Sequence, residues 1–140
     1  MLRLRSPACP WRWAYRTRRG EKSSHRGVTV RQSLARLFQE WRAGDALRSG
    51  AHFALDATYH EAARDPIAGR PAIVAHFTKF FRDGPAWEFH VDDVIVEGDR
   101  AAIRYRFATV SGDGARAERS GCAFVTFRDG TIAEWREYEG

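Results

Sequence analysis

The sequence predicts an α+β fold in one domain, with three N-terminal helices packed on a strongly curved, mainly antiparallel sheet. Two patterns support this prediction. Apolar residues recur at helical spacing in the first half of the chain. Four runs of strand-forming residues, separated by Gly and Asp turns, fill the second half. The chain has 140 residues, and residues 28–140 are enough to bury one core without disulfide bonds.

Three segments predict the helices. The first helix has one apolar face with i, i+3, i+4, i+7 spacing, formed by Leu34, Leu37, Phe38 and Trp41. Gly44 ends this helix in the left-handed cap position, and Asp45 can cap a second short helix that runs to Phe53. Pro71 suits the first turn of the third helix, which ends at Gly84.

Five segments predict the strands. They are a short one over residues 57–60 and long runs over 87–96, 101–110, 115–127 and 131–139. Gly121 lies inside the 115–127 run, where it predicts a bulge or bend that curves the sheet. In the preceding run Ile103, Tyr105 and Phe107 share one face, which we expect to turn toward the helices.

The outer face of the predicted sheet is mixed in character. Arg104 and Arg106 lie opposite the apolar face of their run, so we expect them to be exposed. Both faces of the 115–127 run are apolar over residues 122–127, which indicates that part of the outer face is covered as well. A homodimer formed through the sheet would cover it.

The net charge of +5 is distributed unevenly. Residues 1–27 hold eight Lys and Arg against one acid, a net +7, whereas residues 28–140 hold 15 against 17, a net −2. Nucleic-acid binding is therefore not expected, except through the basic segment. We predict that residues 1–27 form a disordered extension, absent from the native protein if translation starts further in. A transit peptide and an arm that binds nucleic acid or membrane are the alternatives.

Cysteine and histidine positions give no metal site. Cys9 and Cys122 lack the spacing of a metal site or a disulfide framework. His90 shares a predicted strand face with Glu88 and Asp92, and we interpret this group as solvated. No run approaches about 18 consecutive apolar residues, so no membrane span is predicted. We therefore expect a reduced, cytoplasmic protein without a cofactor.

The last predicted strand combines an aromatic residue with carboxylates. Trp135, Glu137 and Glu139 alternate onto one face, because successive side chains of a strand point to opposite sides. This combination is unusual for a plain core and typical of a pocket wall with a few polar groups. The alternative is that both glutamates are solvated near the end of the chain.

The order of elements and three separated segments carry a family resemblance. The segments are residues 41–45, residues 57–61 followed by 69–73, and residues 128–138. Together they resemble the SnoaL-like polyketide cyclases of the wider nuclear transport factor 2-like superfamily, over roughly residues 30–139. That superfamily includes cyclases, isomerases, epoxide hydrolases, dehydratases and non-catalytic members, so the resemblance alone assigns no activity.

The resemblance implies a cystatin-like cone with an apolar pocket between the helices and the concave face of the sheet. It places Tyr59, Glu61, Trp135 and Glu137 on or near the pocket wall. The other positions that it implies as pocket-lining are Tyr105, Phe107, Phe77 and Trp41.

Two enzymes of the superfamily can be compared position by position. Leu37 and Ala123 stand where ketosteroid isomerase has its oxyanion-hole donors, which argues against that mechanism. For limonene epoxide hydrolase, Tyr59 matches the tyrosine, while Glu61 and Glu137 replace an asparagine and an aspartate. The Arg-x-Asp pair of that enzyme is missing from the chain, so the match is partial.

Glu137, Glu61 and Tyr59 are the predicted catalytic residues. Burial in an apolar pocket would raise the pKa of both carboxyl groups, and two close carboxyls would titrate as a pair of one acid and one base. Tyr59 could donate a hydrogen bond to a carbonyl or epoxide oxygen. The predicted substrate is a small, apolar, oxygenated molecule, and the predicted chemistry is acid–base catalysis. His76 is interpreted as structural or exposed.

The same residues also allow a non-catalytic interpretation. Glu61 would then be a solvated loop residue, and Glu137 would pair with Arg104, Arg106 or Arg136. The cone would serve as a ligand-binding or dimerisation module.

Overall fold

The structure, a computed structural model, describes residues 28–140. The helices are α1 (Val30–Ala43), α2 (Ala46–Ala51) and α3 (Arg70–Asp83). The strands are β1 (Phe53–His60), β2 (Ile67–Ala68), β3 (Ala86–Glu97), β4 (Arg100–Val110), β5 (Arg116–Arg128) and β6 (Thr131–Glu139). The predictions for residues 1–27 fall outside the described residues and stay predictions.

The strands form one curved sheet in the order β2-β1-β6-β5-β4-β3. Neighbouring strands are antiparallel except β1 and β6, which run parallel. The predicted α+β class with a mainly antiparallel sheet is therefore confirmed. Because β6 lies between β1 and β5, the last strand of the chain occupies the middle of the sheet. Among residues 28–140, no helix is long and apolar enough to cross a membrane.

Caps fix the ends of the first two helices, and those at Gly44 and Asp45 are the predicted ones. Thr29 Oγ1 accepts a hydrogen bond from Gln32 N at 3.2 Å, and the Gln32 side chain accepts one from Thr29 N at 3.0 Å, which forms a capping box. Gly44 ends α1 with a φ of 69°, a left-handed conformation that favours glycine. Asp45 then caps α2 by accepting a hydrogen bond from Arg48 N at 3.0 Å.

The predicted extent of the second helix is wrong. α2 ends at Ala51, and Phe53 begins β1. Ile132 N donates to the His52 carbonyl at 2.8 Å, and Arg70 Nε donates to the Phe53 carbonyl at 2.8 Å. These contacts tie the segment after α2 to β6 and α3, so tertiary structure ends the helix before its local pattern does.

The helices cover the concave face of the sheet. As predicted, Ile103 and Tyr105 are buried on this face and Phe107 is half-buried, while Arg104 and Arg106 are exposed on the other face. The buried side chains that the helices contribute to the core are Leu34, Leu37, Phe38, Trp41, Ile73 and Phe77. The core therefore lies between the helical layer and the sheet.

Gly121 allows close packing, and the expectation of a bulge at this position is wrong. It pairs in regular register with Tyr105 on β4 and Glu139 on β6, while the irregularity between β5 and β6 lies at Thr126 and Phe127. A Cβ atom at Gly121 would lie 2.6 Å from the Tyr138 carbonyl oxygen and 2.7 Å from the Tyr105 hydroxyl. Glycine therefore makes room for the polar end of Tyr105.

We expect Gly121→Ala to lower the free energy of unfolding by about 1–3 kcal/mol, because the new methyl group overpacks the site. Urea denaturation measures the loss. Gly112→Ala is the matched control, since nothing lies within 4 Å of an added Cβ in that turn. An unchanged midpoint for Gly121→Ala, or an equal loss in both variants, would contradict this account.

Candidate active site

β6 holds one carboxyl group against a buried indole. Trp135 is fully buried, and its Nε1–H donates to Glu137 Oε1 at 3.1 Å. The two side chains share a face because they are two residues apart on one strand, as the alternation pattern predicted. The backbone N–H of Ala62 also donates to the Glu137 carboxylate. Glu137 is thus held from two sides.

The surroundings of Glu137 favour its protonated form. Burial is the main cause, and it raises the pKa of the carboxyl from 4.5 to about 7. The hydrogen bond from Trp135 limits this rise, whereas the negative charges of Glu61 and Glu139 add to it. Both protonation states of Glu137 are therefore populated at neutral pH.

Two tyrosines accompany this carboxyl group. The Tyr59 ring stacks on Trp135 with 6.0 Å between ring centroids. The Tyr105 hydroxyl donates to Glu139 Oε1 at 3.2 Å. Burial, followed by the charge of Glu137, raises the pKa of both phenols. Both hydroxyls consequently keep their protons at neutral pH and serve as hydrogen-bond donors.

Glu61 lies beside Glu137 because of strand register. In the parallel pairing of β1 with β6, Tyr59 is opposite Trp135 and His60 is opposite Arg136. Glu61 directly follows the end of β1 and Glu137 is the next residue of β6. The charge of Glu61 contributes, after burial, to the raised pKa of Glu137. The two predicted acid–base residues do come together.

Glu61 is engaged by a histidine that sequence reasoning had set aside. Glu61 Oε1 forms a short hydrogen bond with His76 Nε2 on α3, and Arg64 Nε lies 3.5 Å from Glu61 Oε2. Burial opposes ionisation of Glu61, but His76 and Arg64 outweigh it and lower its pKa. The expectation of a raised pKa at Glu61 is therefore wrong. The signal in the sequence was that His76 directly precedes Phe77, which is a buried residue of α3.

A cavity of about 440 Å³ adjoins Glu61 and His76. It lies between α3 and the segment after β1, and its lining residues are Glu61, Ala63, Arg64, Asp65, Ile67 and His76. None of the aromatic residues predicted as pocket-lining belongs to this set. Of those, Trp41, Phe77, Tyr105 and Trp135 are buried and Phe107 is half-buried.

Aromatic side chains fill the interior of the cone behind the cavity. The Trp41 ring contacts Phe77, Phe89 and Trp135 edge-on, with centroids 5.3–5.8 Å apart. A molecule in the cavity would therefore contact the polar residues at the edge of this core, such as Glu61 and His76, and not its aromatic interior.

Arg119 borders the carboxylates on the side of β5. Its Nε lies 3.6 Å from Glu139 Oε2, and its guanidinium lies 5.6 Å from the centroid of the Phe107 ring. Phe107 in turn contacts Phe80 of α3, with 6.2 Å between centroids. These contacts connect the carboxylates to a half-buried aromatic group at the end of α3.

The arginines considered as alternative partners of Glu137 lie elsewhere. Arg106 makes two-point hydrogen bonds to Asp92 at 3.0–3.1 Å, and the Arg136 guanidinium lies 5.4 Å from the Tyr138 ring. Arg104 is exposed on the outer face. Within residues 28–140, no group of three or more His, Cys, Asp or Glu side chains is arranged to hold a metal ion.

Solved structures of differently named proteins share this fold. A nuclear transport factor 2-like protein of unknown function from Cytophaga hutchinsonii ATCC 33406 aligns with a TM-score of 0.64 and 18% identity, over 77% of this chain and 96% of that chain. An LEH-like epoxide hydrolase from M. tuberculosis gives a TM-score of 0.67 and 17% identity, over 77% and 80% of the two chains. A candidate polyketide cyclase from Pseudomonas putida KT2440 gives 0.66 and 18%, over 81% and 93%.

At these identities the structural similarity establishes the fold alone. A comparison with curated protein sequences found no match. The sequence profile of the SnoaL-like domain, however, matches residues 34–135, which is well over half of the chain. This range runs from the first core residue of α1 to Trp135. The chain therefore belongs to the SnoaL-like domain family.

Proposed function

We propose that this SnoaL-like domain binds a small, apolar, oxygenated molecule and transfers a proton to or from it through Glu137. The observation that carries the proposal is a half-buried carboxyl group, hydrogen-bonded to the buried Trp135 indole, with a pKa of about 7. A group whose pKa lies near the working pH is the most effective general acid or base. Glu137 meets this condition, whereas a carboxyl group in water does not.

The surroundings of Glu137 support the same chemistry. Trp135, Tyr59 and Tyr105 place hydrogen-bond donors near the carboxyl group. The Trp135 donor stabilises the ionised form of Glu137, which is the form that accepts a proton. The cavity of about 440 Å³, which Glu61 lines and Glu137 and Tyr59 do not, has the size of a small-molecule site.

The named neighbours support an oxygenated substrate, since the epoxide hydrolase and the candidate polyketide cyclase are named for such molecules. The proposal does not extend to the oxyanion hole of ketosteroid isomerase. Leu37 and Ala123, which occupy the matching positions, are fully buried apolar residues.

A non-catalytic ligand-binding module is the second candidate. The observation that favours it is that aromatic side chains fill the interior of the cone, so that the cavity lies at its edge beside Glu61 and His76. The two candidates differ at Glu137. Replacing this carboxyl group by an amide removes turnover in an enzyme, whereas in a binding module it changes only the affinity.

We also propose that two copies associate through the outer face of the sheet, as the apolar pattern of β5 suggested. Phe124 and Tyr138 are 56% and 51% exposed there, and their rings contact each other edge-on with centroids 6.1 Å apart. We expect light scattering at micromolar concentration to give the mass of a dimer, and Phe124→Asp to give that of a monomer. A monomeric wild-type protein would contradict this proposal.

The acid–base proposal can be tested with 5-nitrobenzisoxazole, an apolar probe that a general base opens. The Glu137 carboxylate would take the proton from C3, the C–H electrons would form the nitrile, and the N–O bond would break to release a coloured phenolate. We expect kcat/KM to rise with pH through about 7, because the ionised form of Glu137 is the base. Glu137→Gln should lower the rate by about 100-fold or more.

Glu134→Gln is the matched control, because Glu134 is exposed on the opposite face of β6. This variant should keep the wild-type rate. Wild-type turnover equal to that of Glu137→Gln would overturn the acid–base proposal and favour the binding module.

A further inference from the structure

We propose that His76, held in place by Glu61, is a second proton-transfer residue of this site and acts on a substrate oxygen while Glu137 acts on carbon. The inference rests on the proposed function, which it deepens. It assigns two proton-transfer groups to one substrate. The expected substrate is one that can enolise, with a carbonyl group next to an acidic C–H bond.

The position of His76 is fixed from three sides. Its Nε2 is hydrogen-bonded to the Glu61 carboxylate. Its ring lies against Tyr59, with centroids 5.8 Å apart, and against Phe77, with centroids 6.1 Å apart. Both His76 and Glu61 line the cavity. The imidazole is therefore oriented before a ligand arrives.

The bond to Glu61 decides which nitrogen is available. Glu61 has a lowered pKa, so it is ionised at neutral pH and accepts a hydrogen bond from Nε2–H in either charge state of the ring. Among residues 28–140, His76 forms its hydrogen bond through Nε2, and Nδ1 forms none. Nδ1 is thus the nitrogen that can face a molecule in the cavity.

His76 and Glu137 share two neighbours. Tyr59 contacts the His76 ring and stacks on Trp135, whose indole donates to Glu137. Burial, followed by the charge of Glu137, raises the pKa of the Tyr59 phenol. Glu61 binds His76 and also adds to the raised pKa of Glu137. A substrate that reaches from the cavity toward β6 would therefore meet both groups.

The proposed step is an enolisation in which all atoms are conserved. The Glu137 carboxylate takes a proton from the carbon next to a carbonyl group, and the C–H electrons form a C=C bond. The carbonyl π electrons move to oxygen, which receives a proton from Nδ1 of the His76 imidazolium. The ring is left as the neutral Nε2–H tautomer, still bound to Glu61.

Glu61 is a positioning residue in this scheme. It stays ionised and holds the ring orientation and the tautomer, without exchanging a proton with the substrate. This differs from the role that the sequence suggested for Glu61, which was that of a direct acid or base.

The kinetic test uses the same benzisoxazole probe, whose oxygen becomes a phenolate as the ring opens. We expect His76→Gln to lower kcat by about tenfold or more with little change in KM, because the donor acts on charge present only in the transition state. Glu61→Gln should lower kcat in the same direction. His60→Gln, on the opposite face of β1 from Tyr59, is the control and should leave kcat unchanged.

A binding test separates this inference from the proposed function. The probe is the reaction product, 2-cyano-4-nitrophenolate, titrated into full-length Glu137→Gln, which lacks the competing charge of Glu137. Adding His76→Gln should weaken binding about tenfold, as expected for the loss of a charge-assisted hydrogen bond. If His76→Gln does not fold, Glu61→Gln replaces it, because that variant keeps the imidazole but releases its orientation.

Equal affinity and equal kcat with and without His76 would overturn the inference, even where turnover depends on Glu137. Weaker phenolate binding in the His76 variant would support the donor role of His76, even where the wild type shows no turnover.

Discussion

Burial of the Glu137 carboxyl against the Trp135 indole is the interaction on which the rest of the site depends. β6 lies in the middle of the sheet between β1 and β5, so strand pairing on both sides fixes the face on which the Glu137 side chain lies. With a pKa raised from 4.5 to about 7, its ionised form is less stable in the fold by about 3 kcal/mol than in water. This cost is what remains after the donors beside Glu137 have offset part of the desolvation, and it makes the group a stronger base than a carboxylate in water.

Glu61 and Glu137 carry the same carboxyl group, but their surroundings shift the two pKa values in opposite directions. Glu61 and Glu137 directly follow His60 and Arg136, the last residues paired between β1 and β6. The pKa of Glu61 is lowered because His76 and Arg64 outweigh burial, while the pKa of Glu137 is raised because burial dominates. Carboxyl groups whose pKa values are pushed apart in this way can take different roles in one reaction. The structure thus brings a fixed negative charge, an imidazole and a titrating carboxyl group to one edge of the core.

Sequence patterns predicted the helices, the long strands and the shared face of Trp135 and Glu137, because period and turn residues are local properties. They did not predict that Phe53 begins β1, because that depends on bonds from Ile132 and Arg70. The role of Gly121 depends on Tyr105, which is distant in sequence. The bond between Glu61 and His76 joins a strand end to a helix across 15 positions, and no local pattern records it.

The central claim is that Glu137 titrates near neutrality, and side-chain 13C NMR tests it directly. The Glu137 carboxyl resonance, assigned by its loss in Glu137→Gln, would be followed between about pH 3 and 9. The account predicts a midpoint of about 7 for Glu137 and a midpoint below the ordinary 4.5 for Glu61. A midpoint near 4.5 for Glu137 would mean that the carboxyl is effectively solvated, and it would contradict the account.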